Sequence, residues 1–278
     1  MCVAVVAVKA EPPKPGTTGN PDNVPYIGKS DPHGNPVRLA VATGHVSNYS
    51  EEKVPKYRLP DPLVLTNGER VTTPESWTKK RRPEILRSFQ TEIYGRIPEN
   101  SPKVTWEVTA TDPQARNGAA VMRRVVGRMG DKPDGPKMTL TVFTPANADR
   151  PVPVLLNITF GFPIGNRAGK AAPKPGAKAV TFDFVAEVLG RGWAYATIAY
   201  GDIQPDRADR WTEGVIGLTL KEGQTRPAPD EWGTISAWAW GVSRCIDFFA
   251  SDRSFDAKRV AITGASRLGK TVLWASAQ

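Results

Sequence analysis

The sequence predicts an α/β protein in which a mostly parallel sheet carries helices on both faces. Three observations support this. From Val104 onward, short runs rich in β-branched and aromatic residues alternate with segments of helical period. Ile235, Trp238, Val242, Cys245 or Ile246, and Phe249 recur every three or four residues, giving a helix with one apolar face over 235–249. The run Val260 to Thr263 then reads as a strand, followed by a tight turn and a new helix from about Arg267. Alternation of this kind joins parallel strands through crossover helices.

Taken in order, residues 1–10 (MCVAVVAVKA) resemble the end of a signal-peptide apolar segment, although the basic start of such a signal is missing. Residues 11–56 are rich in proline and glycine and read as a leader with little regular structure. The patterned part of the chain occupies 57–278. Thr73-Pro74-Glu75 opens a helix, with Thr73 as its cap and Ser76 as a weaker alternative. Pro83 is expected to separate this short helix from a second one running to Tyr94, with Ile85, Phe89 and Ile93 on one face and Gly95 as its stop. Strands are expected at 104–109 and 119–126 as an antiparallel pair, then at 138–144 and 152–160, the latter two divided by a polar turn with Asn147 and Asp149. A helix at 182–189 closes at Gly190 and Gly192, and another strand covers 193–200.

Composition narrows the function classes. The chain has 278 residues, 40% of them hydrophobic, which is enough for one large domain. No run of eighteen apolar residues exists, so no transmembrane span is expected. The net charge of +9 suits a soluble basic surface or an anionic partner such as an acidic polysaccharide. Zinc-finger spacing is missing and the longest basic run is Lys79 to Arg82, so no nucleic-acid partner is expected. Two cysteines, Cys2 and Cys245, do not make a disulfide framework, and Cys245 on an apolar helix face reads as a small buried hydrophobe. Only two histidines occur, His33 and His45, both in the leader, which argues against a histidine metal site.

The chemistry concentrates in the turn of AITGASRLGKTVLWA, residues 261–275, because ligands of such sheets bind at the carboxyl ends of strands. Three mechanisms fit parts of it. Gly264, Gly269, Lys270 and Thr271 complete a G-x-x-x-x-G-K-[ST] phosphate loop, but several sheet strands precede it where such loops usually follow an early one. Thr263 to Ser266 is similar to the start of a dehydrogenase fingerprint, but Leu268 and Lys270 stand where glycines would let the backbone approach a pyrophosphate. The third is a nucleophile elbow, in which a serine on a strained strand-to-helix turn projects its hydroxyl above the sheet. Gly264 and Ala265 supply its small residues before Ser266; Leu268 takes the place of the usual glycine and Gly269 follows. A helix-capping serine in an ordinary turn is the plain structural alternative.

The stretch GASRLGKTVLWASAQ resembles the glucuronoyl esterases, carbohydrate esterase family fifteen, especially their bacterial branch; the family pattern G-x-S-R-x-G-K accounts for the displaced glycine. EWGTISAWAWGVSRCIDFFASDRSFDAKRVAITG upstream resembles the family too, as do LPDPLVLTNGERVTTPESW, RRPEILRSFQTEIYGRIP and AYATIAYGDIQPD. The resemblance runs from about Tyr57 to Gln278. It implies an α/β-hydrolase three-layer sandwich and a serine esterase, acting through an acyl-enzyme on the ester between glucuronic acid on xylan and a lignin alcohol. Residue by residue, it implies that Ser266 is the nucleophile, that Arg267 helps stabilise the oxyanion, and that Lys270 contacts the sugar hydroxyls. The proposed chemistry requires no metal or organic cofactor, and the signal-like residues 1–10 make secretion or a periplasmic location the expectation. The segment NITFGFPIGNRAG matches the family loop only loosely, so its 161–166 region, which should border the cleft, leaves room for a related uronate or acetylated-sugar esterase. A catalytically silent carbohydrate-binding homologue is the rival of a different class.

In this fold the acid and histidine of the triad follow the nucleophile in chain order. Asp247 and Asp252 precede Ser266, as do both histidines. The expectation is therefore an incomplete, C-terminally truncated catalytic domain with an exposed sheet edge and little activity by itself.

Overall fold

The computed structural model describes residues 56–161 and 183–278, together with the backbone of a small hairpin, β1 (Arg38–Ala40) paired antiparallel with β2 (His45–Ser47). The signal-like residues 1–10, most of the leader and residues 162–182 lie outside the described residues. Residues 62–278 form one compact unit.

That unit begins with a helical ribbon whose cap is set by sequence. Thr73 Oγ1 accepts from Ser76 N–H at 3.1 Å, and Ser76 Oγ accepts from Thr73 N–H at 3.2 Å. Ser76 is thus the reciprocal partner of the Thr73 cap, in a capping box with Pro74 at the first position of α1 (Pro74–Ser76). Pro83 does not break the ribbon as the sequence suggests. A π-helical stretch, Trp77–Arg81, runs directly into α2 (Arg82–Phe89) and a second π-helical stretch, Gln90–Tyr94. The Arg82 N–H reaches back five residues to Trp77 O, and this wider turn meets Pro83 where the proline N–H is missing. On the face expected to carry Ile85, Phe89 and Ile93, Phe89 is 38% and Ile93 61% exposed.

The sheet has six strands in the order β3-β4-β5-β7-β6-β8. These are β3 (Val104–Asp112), β4 (Ala120–Met129), β5 (Lys137–Pro145), β6 (Val152–Thr159), β7 (Ala194–Ala199) and β8 (Phe255–Thr263). The sheet is mixed rather than mostly parallel. β3, β4, β5 and β7 pair antiparallel in turn, and only β7-β6-β8 is parallel. Short turns connect β3 to β4 and β4 to β5, and a short turn permits only antiparallel pairing, whereas the parallel strands are joined by longer helical crossovers. β8 also starts at Phe255, five residues before the apolar run that announces it, because it pairs with Val152 from there.

Alternate residues of β6 and β7 face two different layers. Leu155 and Tyr195 pack with Phe143 under α3 (Phe184–Gly190), through Val185, Val188 and Leu189. Val154, Leu156, Ile158, Ala196 and Ile198 face the other side, toward α4 (Tyr200–Ile203), α5 (Gly214–Gly217) and α6 (Thr234–Ser251). From α6 come Trp238, Val242, Cys245 and Phe249, all at most 1% exposed. Helices on both faces make the three-layer sandwich. Burial pushes the Cys245 thiol far up from its ordinary range, so it acts as a small core residue and not as a nucleophile. No described helix is long and apolar enough to cross a membrane.

One polar cluster ties the far side of the sheet together. Asp252 accepts from Arg123 Nη1 at 2.7 Å, from Ser254 Oγ at 2.6 Å and from Ser254 N–H at 2.9 Å. Partial burial alone would raise this carboxyl, but the bonds from Ser254 and Arg123 outweigh it and hold the group below the ordinary carboxylate range. A lowered folded-state value means that the stabilisation is present above the unfolded-state value and is lost as pH falls through the folded one. Asp252→Asn is therefore expected to lower stability at neutral pH by about 1–2 kcal/mol and to match the parent protein in strong acid. Urea unfolding across a pH series checks this; a constant difference down to strong acid would refute it.

Candidate active site

Three parallel strands end side by side, and each delivers one aromatic or polar group to the same edge. Phe160 follows β6, Tyr200 follows β7, and the turn Gly264-Ala265-Ser266 follows β8 and leads into α7 (Arg267–Ala277). This is the carboxyl end of the parallel half, where open α/β sheets bind ligands.

Ser266 has φ 56° and ψ −123°, a region that a non-glycine residue occupies at a cost of about 1–3 kcal/mol. It sits at the N-cap position of α7, yet its side chain accepts no capping hydrogen bond and the residue is exposed. A serine serving as a cap would take β-region dihedrals and bond an amide of the first turn. Ser266 does neither, which sets aside the ordinary capping role. The turn is held by its own backbone: Leu268 N–H donates to Ala265 O at 2.9 Å and Gly269 N–H to Ser266 O at 2.9 Å. Gly264 lies so close to α7 that an added Cβ would stand 2.7 Å from Leu268 O and 3.0 Å from Ile158 Cγ2. The glycine three residues after the serine is less constrained, with its nearest contact, Gly264 O, at 3.4 Å.

Arg267 and Lys270 both lie exposed on the first turn of α7. Arg267 donates through Nη1 to Asp206 Oδ2, and its guanidinium lies 5.5 Å from the centre of the Phe160 ring. The ring is braced edge-on by Tyr200 at 5.7 Å, and Tyr200 by Trp238 at 4.9 Å. Among the described residues Lys270 has no carboxylate partner. Thr271, the residue that a phosphate loop would use to hold magnesium, is fully buried and donates its hydroxyl to Arg267 O at 3.1 Å. Its side chain is thus turned into the helix, which removes the phosphate-loop reading.

The other carboxylates are placed elsewhere. Asp252 sits at the opposite end of β8, and Asp247 pairs with Arg244 at 3.1 Å. Asp202 is partly buried and accepts from Thr139 N–H at 3.1 Å; burial pushes its carboxyl upward against that bond. Residues 62–278 contain no histidine. The segment 162–166, expected to border the cleft, lies outside the described residues.

The same fold recurs in known proteins. Residues 227–278 match the family model for glucuronyl esterase, fungi. A carbohydrate esterase from an unknown prokaryotic organism is 36% identical over 251 residues, 83% of this chain and 58% of the relative. The solved glucuronoyl esterase from Solibacter usitatus superposes with a TM-score of 0.71 at 40% identity, over 81% of this chain and 62% of that one. The chain is related to the glucuronoyl esterases. A 4-O-methyl-glucuronoyl methylesterase from Wolfiporia cocos is more distant, at 27% identity over 235 residues, 81% of this chain and 48% of the relative. The chain therefore spans about half to two-thirds of the length of these relatives. Its α/β-hydrolase fold is shared with them.

Sequence reasoning singled out Ser266, Arg267 and Lys270 but missed Asp206, Phe160 and Tyr200. A signal existed for Phe160 and Tyr200, which close the runs read as strands at 152–160 and 193–200; Asp206, six residues beyond the second run, had none.

Proposed function

We propose that the full-length protein is a serine esterase that cleaves glucuronoyl esters, the bonds joining glucuronic acid on xylan to lignin alcohols. The strained, exposed, non-capping Ser266 carries this reading. Ser266 Oγ attacks the uronate carbonyl carbon, the alcohol leaves with a proton, and water releases the acyl group from the serine. The oxyanion forms beside the amides of the α7 N-terminus, whose orphan N–H groups and partial positive charge favour a negative oxygen. Arg267 adds a cation next to the same turn, and Lys270, one turn along, contacts sugar hydroxyls. A serine hydroxyl needs a base. As residues 62–278 hold no histidine, the reading requires that base to come from outside them. A polymeric wall substrate fits an exported protein, in keeping with the signal-like residues 1–10.

The test is hydrolysis by the full-length protein of methyl or benzyl glucuronate against an acetylated xylose. Preference for the uronate ester supports the reading; equal or greater rates on the acetyl ester overturn it. Arg267→Lys keeps the charge but loses the planar fork, and kcat on the glucuronate ester is expected to fall by about 10²-fold, the usual loss for one oxyanion donor. A KM increase with unchanged kcat would instead make Arg267 a ground-state binding group.

A further inference from the structure

We propose that Asp206 sets the preference of this site for ester over free acid, by holding the Arg267 guanidinium in place and by lowering its affinity for a carboxylate product. The inference rests on the uronate-esterase reading above.

The reaction creates a problem that the Asp206–Arg267 pair answers. A neutral ester enters and an anionic uronate remains at the same position. A guanidinium binds carboxylates through paired N–H donors, and the helix N-terminus beside it favours anions as well. An unopposed arginine there would hold the product strongly. Asp206 removes part of that capacity. It takes the Nη1 donor of Arg267 and places a negative charge one guanidinium away from where the product charge appears. The oxyanion of the transition state is less affected, because it localises on one oxygen that also meets the turn amides.

The position of Asp206 is fixed by its neighbours. Gln204, two residues upstream, is fully buried. Its Oε1 accepts from Ile216 N–H at 3.0 Å, its Nε2 donates to Arg210 O at 3.1 Å, and its backbone carbonyl accepts from Trp238 Nε1 at 2.8 Å. The loop carrying Asp206 is thereby tied to α5 and α6. Arg207, which could compete for Asp206, is instead paired with Asp209 through two bonds of 2.9 and 2.8 Å. The Phe160 ring lies against the guanidinium, its centre 5.5 Å away. Carboxylate and ring together leave the rest of the guanidinium edge for substrate. Asp206 is a positioning residue in this scheme, acting through Arg267.

The experiment measures binding of sodium glucuronate to the full-length protein by calorimetry in a Ser266→Ala background, which needs no turnover. Asp206→Asn is expected to bind glucuronate about fivefold tighter, the scale of one partly screened charge contact. Asp206→Glu, which keeps the charge, should stay within about twofold of the parent, and Arg267→Ala should bind more weakly than either. In the active protein, Asp206→Asn should show stronger glucuronate inhibition and a lower kcat with little change in KM for the ester. Unchanged or weaker glucuronate binding by Asp206→Asn, or no binding by any variant, overturns the inference. Ser266-dependent ester cleavage combined with unchanged glucuronate affinity refutes only the role of Asp206. Ester cleavage that survives Ser266→Ala refutes the esterase reading itself.

Discussion

Ser266→Gly is expected to abolish ester cleavage by the full-length protein while raising its stability. The loss follows from removal of the nucleophile: kcat/KM should fall by about 10⁴-fold or more, as when a hydrolase loses the group that forms its acyl intermediate. The gain follows from the backbone. At φ 56° and ψ −123° a Cβ is crowded, and glycine visits such dihedrals freely. Because Ser266 makes no capping bond, little is lost in exchange. The net effect should be a stabilisation of about 1 kcal/mol, read from the urea midpoint at unchanged m. Ser266→Ala serves as the companion variant, equally inactive but without the stabilisation, since alanine keeps the Cβ. Both variants inactive and equally stable would mean that the turn carries no strain. An active Ser266→Ala would mean that the serine is not the nucleophile.

Gly95→Ala should destabilise the domain by about 3 kcal/mol or more, although it lies on a different element from the serine. Gly95 has φ +82°, and a Cβ there would stand 2.1 Å from Glu231 O and 2.6 Å from Trp232 Cα. These are backbone atoms next to the start of α6, so a rotamer change cannot relieve the contact. The disturbance should also reach the site through a buried relay: Trp274 Nε1 donates to Ser236 Oγ at 2.9 Å, and Ser236 Oγ donates to Gly95 O at 3.1 Å. Trp274 belongs to α7, whose first turn follows Ser266. Moving Gly95 therefore loosens the contact that seats the nucleophile helix on α6. Ser236→Ala breaks the same relay without a clash and should cost about 1–3 kcal/mol, the range for buried groups left unpaired. Chemical unfolding of the three proteins should rank them parent, Ser236→Ala, Gly95→Ala; a Gly95→Ala protein as stable as the parent would refute the packing argument.

The elements that the sequence predicted well are those governed by local physics. Thr73 caps its helix because its hydroxyl, three residues away, satisfies the otherwise unpaired Ser76 N–H. Trp238 packs in the core because its spacing with Val242, Cys245 and Phe249 leaves one face to bury. The turn after β8 could be located because small residues between a strand and a helix mark a sharp reversal there. The separation of two helices expected at Pro83 does not occur, for the opposite reason: whether a missing N–H breaks a helix depends on the neighbouring hydrogen-bond register, and a π-turn absorbs it here.

By itself the sequence determined the three-layer α/β plan, the buried face of the 235–249 helix and the placing of Ser266, Arg267 and Lys270 on one strand-to-helix turn, all through spacings of a few residues. The antiparallel pairing of β3 with β4 was legible too; only the tertiary structure decided that β5 joins β4 and β7 antiparallel and that Phe160, Tyr200 and Ser266 share one edge. It alone decided that Asp206, rather than Asp202 or Asp209, meets Arg267 across 61 residues of chain. The physical reason is that periodicity and turn chemistry act between neighbours along the chain, whereas an ion pair at a sheet edge depends on strand order and on the anchoring of a loop by a buried Gln204. Those are settled only when the whole core packs.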